Sequence, residues 1–210
     1  MDSLYDLTHT STIFDIKPDW SYDPRRSIIF DRDIHENSSS APRLADLDIG
    51  AIGQLNYVYR GLSKAQQFAI ESFFIQQRGR WARFWLPVWG NLFQLVTDIA
   101  LYATYIDIKE CGYRNILSSS RNRIYIELQD GSRISRRVNS ITLGSNIERL
   151  NLNTVMDQTI TRASISQFSF LFLVRFDQDE MELTYEGANC AEIDLSMAEL
   201  VNEYDEEVIS

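Results

Sequence analysis

The segment of residues 168–176 limits the possible folds more than any other part of this chain. Its sequence, FSFLFLVRF, puts five apolar side chains on one side of an extended strand: Phe168, Phe170, Phe172, Val174 and Phe176. Leu171 and Leu173 fall on the other side, so the pattern predicts a strand that is buried on both faces. Such a strand needs packing partners on both sides, which favours a layered, β-rich fold.

Other segments show the alternation of apolar and polar residues that is typical of half-buried strands. In residues 52–60, for example, Leu55, Tyr57 and Tyr59 share one face. The sequence QDGS at residues 129–132 predicts a tight turn that joins two strands into a hairpin. Besides residues 168–176, strands are predicted at residues 27–30, 52–60, 93–96, 103–108, 122–128, 133–143, 181–185 and 191–197.

One helix is predicted at about residues 63–78. Ser63 and Gln66 have the spacing of a capping box, in which each side chain bonds to the other residue's backbone amide. Gly79 stands where a left-handed residue commonly ends a helix. The predicted apolar face consists of Ala65, Ala69 and Phe73, together with Ile70 and Phe74.

These elements predict a mainly β fold, either an antiparallel β-sandwich or a split barrel, with one packed α-helix. No internal repeat or domain boundary is visible, so we expect residues 1–210 to form a single domain. Residues 35–46 include the run HENSSSAP and predict an exposed loop. The last predicted feature is an acidic C-terminal end from about residue 177.

The net charge of −10 is concentrated at that end. After Arg175 there are twelve acidic residues and no lysine or arginine, whereas residues 1–175 carry 18 acidic and 20 basic groups. This distribution argues against nucleic-acid specificity, which requires a basic surface. The acidic end is interpreted either as a solvated face or as a surface that docks on a basic partner.

Neither a membrane anchor nor a secretion signal is predicted. No apolar run is long enough to cross a bilayer, and the first residues lack a basic start followed by an apolar stretch, so we expect synthesis in a cytosol. Cys111 and Cys190 lie far apart and form no CxxC motif. We predict two free, buried thiols, with a single disulfide as the alternative.

Residue patterns that would support catalysis are weak. Asp31, Asp33 and His35 would share one side of a strand, which is a conceivable metal face without a fourth ligand. The sequence DQDE at residues 177–180 begins like a calcium loop but lacks its glycine and closing glutamate, which favours a solvated turn. Nucleophile-elbow, zinc-protease and phosphate-loop motifs are absent. We predict no enzymatic activity and no cofactor, although a glycosidase-type carboxylate pair stays open.

Residues 78–89, RGRWARFWLPVW, combine three arginines with three tryptophans. Trp81, Trp85 and Trp89 could stack on bases or sugars, or they could be core aromatics covered by arginine stems. They could also form a subunit contact, because Trp and Arg dominate interface hot spots. The strand-like segment that directly follows the helix favours core and interface.

This cluster and the helix before it resemble the distal tail proteins of long-tailed bacteriophages, a family that is also found in phage-like gene transfer particles. The residues that carry the resemblance are Phe73, Phe74, Arg78, Gly79, Arg80, Phe84, Trp85, Leu86 and Pro87, and Trp81 lies within the same motif. A second similar segment is VRFDQDEMEL at residues 174–183. The sequence IKPDWS at residues 16–21 is similar to the family's opening in a looser way.

The resemblance implies a structural virion protein of the phage tail, made in the host cytoplasm. It would form a ring, expected to be hexameric, that joins the tail tube to the baseplate hub and the receptor-binding tip. The expected partners are further copies of itself, the tail tube protein, and the hub and tail-tip proteins. The alternatives are another tail subunit (tube or hub), a carbohydrate-binding module that uses Trp81, Trp85 and Trp89, and a cell-wall hydrolase with unrecognised carboxylates.

Overall fold

The computed structural model describes residues 12–20, 25–29, 32–35, 43–46, 52–187 and 190–201. The chain divides into two compact units. Unit 1 combines residues 1–85 with residues 174–210, and unit 2 is the continuous stretch of residues 86–173.

The described residues contain twelve strands and one α-helix. In chain order these are β1 (Arg25–Ile29), β2 (Arg32–His35), β3 (Arg43–Asp46), β4 (Ile52–Leu62), α1 (Lys64–Gln77), β5 (Arg83–Pro87), β6 (Tyr105–Lys109), β7 (Arg123–Leu128), β8 (Arg133–Gly144), β9 (Ile147–Leu152), β10 (Ile165–Phe176), β11 (Leu183–Gly187) and β12 (Cys190–Glu199). Short 3₁₀ turns lie at Tyr113–Asn115, Ser119–Arg121 and Arg162–Ser164.

Ten of these strands form one antiparallel sheet, in the order β1-β4-β12-β10-β7-β8-β9-β6, with β11 on β12 and β5 on β10. Strand β10 takes part in both units. Its residues from Ile165 to Leu171 pair with β7 in unit 2, and Val174, Arg175 and Phe176 pair with β12 in unit 1. Strands β2 and β3 form a separate pair. The predicted fold class, mainly antiparallel β with one helix, is confirmed.

The core of unit 1 is aromatic and centres on Phe176, which is fully buried. Its ring centroid lies 4.7 Å from that of Phe84, 4.9 Å from Phe74, 6.2 Å from Phe73 and 6.5 Å from Phe14. Tilted and edge-on ring pairs at these separations contribute beyond the burial of their area alone. Helix α1 is therefore attached to the sheet of unit 1 mainly through phenylalanines.

The core of unit 2 is built from strands and loops without an α-helix. Phe93 packs on Tyr113, Phe168 and Phe170, with ring centroids 4.8 to 6.2 Å apart. The inward side of β7, the loop residues Leu95, Ile99, Met156 and Ile160, and the first part of β10 complete this core. Residues 168–174 of β10 are buried without interruption, which confirms the prediction of a strand covered on both faces.

Helix α1 begins where the sequence predicts. Ser63 is its N-cap, and the Ser63 hydroxyl accepts a hydrogen bond from the Gln66 amide (3.4 Å) while Gln66 Oε1 accepts one from the Ser63 amide (3.1 Å). At the other end Arg78 is the left-handed C-cap residue, with φ of 55°, and Gly79 follows with φ of 61°. Two successive left-handed residues reverse the chain directly after the helix.

The predicted buried face of α1 is partly wrong. Ala65 and Ala69 are exposed and Phe73 is half-buried, whereas the buried residues are Gln67, Ile70, Phe74 and Gln77. Two of these inward residues are glutamines. A prediction based only on the spacing of apolar residues therefore selected an adjacent face of the helix.

Most predicted strands are confirmed, with shifted ends. Residues 93–96 are an exception, because only an isolated bridge from Leu95 to Ile108 forms there. Strand β9 was missed. The predicted loop near residues 35–46 is strand at both ends, since His35 pairs with Arg43 in the β2–β3 ladder, and residues 36–42 lie outside the described part of the chain.

Two smaller expectations can be compared with the structure. None of the described helices is long and apolar enough to cross a membrane. Cys111 is a free thiol, as expected, but it is exposed rather than buried, while the side chain of Cys190 lies outside the described residues.

We predict that two phenylalanines of α1 differ sharply in their contribution to stability. Phe74 is 8% exposed and contacts Phe176, whereas Phe68 is 62% exposed. Phe74→Ala should lower the free energy of unfolding by about 3–5 kcal/mol, because it empties a buried site. Phe68→Ala makes the same chemical change on the same helix and should cost less than about 1 kcal/mol. Urea unfolding followed by circular dichroism measures both, and equal losses would contradict this packing.

Candidate assembly surface

The turn that follows α1 packs closely against the loop between β10 and β11. A Cβ atom added to Gly79 would lie 2.8 Å from Asp179 Oδ1, 3.0 Å from Asp179 Cα and 3.2 Å from the carbonyl oxygen of Gln178. Two of these neighbours are backbone atoms, which cannot move aside as a flexible side chain can. Only glycine fits this contact without displacing the loop.

Arg80 extends the same contact with its backbone and its side chain. The Arg80 amide donates a hydrogen bond to Asp179 Oδ1 at 3.0 Å, and Arg80 Nε lies 3.9 Å from Asp179 Oδ2. Both side chains are more than half exposed, so the ion pair itself contributes little and the amide bond sets the position of the loop. The segments of residues 78–87 and 174–183 therefore touch each other at Gly79, Arg80 and Asp179.

The other residues of the predicted motif are distributed between the core and the surface. Phe84, Trp85, Leu86 and Pro87 are buried along β5, as a core role requires. Phe74 and Gly79 are also buried, Phe73 is half-buried, and the side chains of Arg78 and Arg80 are exposed. Within this motif, strand β5 is therefore part of the core, and the arginine side chains of the turn before it lie at the surface.

The three tryptophans do not form one cluster with a common role. Trp85 is fully buried in unit 1 and Trp89 is buried in unit 2, so each belongs to a core. Trp81 is 75% exposed, which contradicts a core role for this residue. An exposed tryptophan is available for a contact with another molecule.

Sequence reasoning missed the outward side of α1. Five residues, which we call the outer face of α1, are exposed there: Ala65, Phe68, Ala69, Ser72 and Ile75. Phe68 and Ile75 are seven residues apart and thus lie on the same side of the helix, with exposed fractions of 62% and 72%. The signal was present in the sequence, because apolar residues occur all round this helix and only Lys64 and Glu71 are charged.

An acidic cleft of about 320 Å³ lies between β11, β12 and the loop before them, lined by Gln178, Glu180, Glu182, Thr184, Glu192 and Asp194. Glu192 is paired with Arg60, whose Nε lies 2.6 Å from Glu192 Oε2. Partial burial raises the pKa of Asp194 above its usual value, and the nearby Glu192 raises it further while Arg60 opposes the shift. The cleft thus brings together carboxylates that repel one another.

The candidate metal ligands cannot be placed completely. Asp31 and the side chains of Asp33 and His35 lie outside the described residues. Within the described ranges, no three His, Cys, Asp or Glu side chains are arranged to hold a metal ion. Residues 177–180 form an irregular loop in which Asp177 accepts a hydrogen bond from Gln54 (3.1 Å) and Asp179 binds Arg80.

Comparisons with known proteins do not assign this chain to a family. No protein-family model matches the sequence, and no curated protein matches it significantly. The fold and surface define a mainly β protein with one helix and an exposed apolar helix face.

We predict that Gly79→Ala is more destabilising than Gly61→Ala, although both glycines have φ of +61°. The left-handed backbone should cost either alanine about 1–2 kcal/mol. At Gly61 nothing lies within 4 Å of the added Cβ, whereas at Gly79 it meets the backbone of Gln178 and Asp179, which adds about 1–3 kcal/mol. Chemical denaturation of the two variants measures the difference. Equal stability losses would show that the turn and the loop are not in contact.

We also predict opposite effects of two Asp→Asn substitutions. The pKa of Asp194 is raised above 3.8 in the folded protein, so its ionised form opposes folding at neutral pH, and this penalty disappears as pH falls through the raised pKa. Asp194→Asn should therefore increase the free energy of unfolding at pH 7. Hydrogen bonds from the Ser132 hydroxyl and amide lower the pKa of Asp130 and so stabilise its ionised form in the folded protein. Asp130→Asn should therefore decrease the free energy of unfolding at pH 7. Both effects should shrink below pH 3.8, and urea unfolding at the two pH values measures them.

Proposed function

We propose that this chain is a structural subunit of a bacteriophage tail tip with the role of a distal tail protein. In this role several copies form a ring at the lower end of the tail tube and connect it to the hub and the receptor-binding tip. The observation that carries the proposal is the outer face of α1, which exposes Phe68 and Ile75 and is followed within a few residues by the exposed Trp81.

The physical chemistry of this surface supports an assembly role. A helix at the surface of a monomer normally carries charged and polar residues on its outward side. Here only two of the 14 residues of α1 are charged, Lys64 and Glu71, each four residues from Phe68 or Ile75, and two glutamines occupy the buried side instead. Depletion of charge combined with aromatic and aliphatic side chains is typical of the buried centre of protein interfaces. Burying each large side chain in such a contact contributes about 1.5–3 kcal/mol.

The position of this surface in the chain also supports the proposal. The motif that resembles distal tail proteins begins at Phe73 within α1 and continues through the turn at Gly79 into β5. The exposed side chains and the family-like residues are thus parts of the same continuous stretch. A subunit that closes a ring needs one patch that fits a different patch on its neighbour, and the outer face of α1 would supply one of the two.

A carbohydrate-binding module of the tail tip is the second candidate, and the exposure of Trp81 favours it. An exposed indole ring can stack on a sugar ring. The buried Trp85 and Trp89 cannot serve as further platforms in the same way, which leaves a single ring for this function. A single ring makes this candidate weaker than the assembly role.

We predict that the wild-type protein self-associates and that the double variant Phe68→Glu, Ile75→Glu associates much more weakly. Two carboxylates on the outer face of α1 would have to lose their hydration in the contact, so assembly should fall by at least about tenfold. The variant should stay folded because both side chains are exposed. Sedimentation velocity gives the oligomer distribution, and negative-stain electron microscopy shows whether rings form.

The matched control is Asn139→Glu, Thr154→Glu, which adds the same charge at two exposed positions of unit 2. It should assemble as the wild type does. Normal assembly of the α1 variant, or a wild-type protein that stays monomeric at high concentration, would contradict the assembly role. Quenching of tryptophan fluorescence by soluble polysaccharide, abolished by Trp81→Ala, would instead favour the carbohydrate-binding candidate.

A further inference from the structure

Unit 2 contains a cleft with an apolar floor and a basic rim, which we call the basic cleft. Its volume is about 550 Å³. Phe93, Leu95 and Phe168 form the floor, and Lys109 and Arg162 stand on the rim, where both are exposed. The residues that line the cleft include no carboxylate. A surface of this kind attracts a ligand that carries acidic and apolar groups close together.

The walls of the basic cleft are held by backbone hydrogen bonds. On one side the amides of Leu92 and Phe93 both donate to the carbonyl oxygen of Phe168 at 3.0 Å, and Asn91 Oδ1 accepts from the Phe168 amide at 2.8 Å. On the other side the Lys109 amide donates to the carbonyl oxygen of Gln94 at 2.8 Å. Because hydrogen bonds within the chain hold both walls, a ligand need not order them on binding.

The two cations on the rim differ in their surroundings. Arg162 Nε lies 3.6 Å from Asp98 Oδ1, and the Arg162 amide donates to the same oxygen at 2.9 Å. Both side chains of this pair are more than half exposed, so the pair is weak and leaves the guanidinium accessible to a second carboxylate. Lys109 also lines a neighbouring cleft, together with Glu110, Ser145, Asn146 and Ile147.

The chain itself contains a segment with the required chemistry. Residues 203–209, EYDEEVI, carry four acidic residues together with a tyrosine, a valine and an isoleucine. The two units also differ in charge. Unit 1 carries 23 acidic and 11 basic residues, whereas unit 2 carries seven acidic and nine basic residues. Attraction between copies of this chain is therefore expected between the acidic end of one copy and unit 2 of another.

From this complementarity we infer that the basic cleft binds the acidic segment of residues 203–209 from a second copy of the chain. The carboxylates meet Lys109 and Arg162, and the apolar side chains of the segment cover the floor at Phe93, Leu95 and Phe168. This assignment is preferred to a contact of the same segment with Arg80, because Arg80 belongs to the strongly acidic unit 1, whereas no carboxylate lines the basic cleft. The cleft is separate from the outer face of α1, and its binding does not depend on the proposed tail-tip role.

A peptide titration tests the binding directly. The probe is the peptide NEYDEEVIS (residues 202–210), labelled with fluorescein and blocked at both ends. The receptor is the full chain with Glu203→Lys, Glu206→Lys and Glu207→Lys, so that its own segment does not compete. Fluorescence anisotropy should show saturable binding that weakens as salt is added. Adding Lys109→Glu and Arg162→Glu to this receptor should lower the affinity by about tenfold or more at low ionic strength.

The matched control is a receptor with Arg114→Glu and Arg175→Glu, which changes the net charge equally at two exposed positions outside the cleft. At about 0.15 M salt it should retain the peptide affinity within about twofold, because neither residue lines the cleft and the Debye length is then only about 8 Å. If both pairs of substitutions weaken peptide binding equally, the effect comes from net charge alone and the inference is wrong. The inference is also wrong if the peptide does not bind the receptor whose cleft is unaltered.

Self-association tests whether the occupant comes from a second copy. In sedimentation velocity at fixed concentration, Lys109→Glu, Arg162→Glu and the triple glutamate-to-lysine variant should each shift the chain toward monomer. Combining all five substitutions restores complementary charges and should recover a large part of the association. If the separate variants associate as the wild type does, or if the combination recovers nothing, the second-copy assignment is wrong. If the Phe68→Glu, Ile75→Glu variant associates as the wild type does in this assay, the result contradicts only the assembly role of the outer face of α1.

Discussion

Strand β10 is the element on which the rest of the structure depends. It pairs with β7 in unit 2 and with β12 in unit 1, and it is buried over residues 167–174 without interruption. Phe168 and Phe170 provide rings for the core of unit 2, and Phe176 provides the central ring in unit 1. Since the burial of apolar surface is the dominant favourable term in folding, replacing one of these buried phenylalanines with a polar residue would weaken the core that it belongs to.

The sequence was sufficient for elements whose pattern is local. The double-sided burial of β10, the alternation of β4, the turn at residues 129–132 and the cap of α1 at Ser63 could all be predicted, because each depends on side chains within a few residues of one another. Strand β9 was missed because Glu148 takes an inward position where the pattern requires an apolar residue. Its carboxylate is buried and accepts hydrogen bonds from the Tyr113 and Arg114 amides, which compensates the burial.

The same physical reason explains the error in the face of α1. Gln67 can turn inward because its Nε2 donates to Glu71 Oε1 at 2.7 Å and to the Tyr185 hydroxyl at 3.1 Å. Tyr185 is 118 residues away in the chain, so no local pattern reveals this partner. The contact between Gly79 and Asp179 is equally distant in sequence. The residue types of the motif could be recognised from the sequence. Which of them are buried depends on partners far along the chain, so the exposure of Trp81 was not predicted.

Unit 2 is a continuous stretch inserted into unit 1, and the chain passes from one unit to the other within β5 and within β10. This connectivity has a consequence for synthesis. When a ribosome has produced residues 86–173, every strand partner within unit 2 is available, whereas β4 still lacks β12 and α1 still lacks Phe176. Unit 2 can therefore fold first, while β4 lacks its neighbour β12 until Cys190–Glu199 has been synthesised. During that interval we expect association through Leu55, Tyr57 and Tyr59 to compete with folding, because these side chains still lack part of their cover.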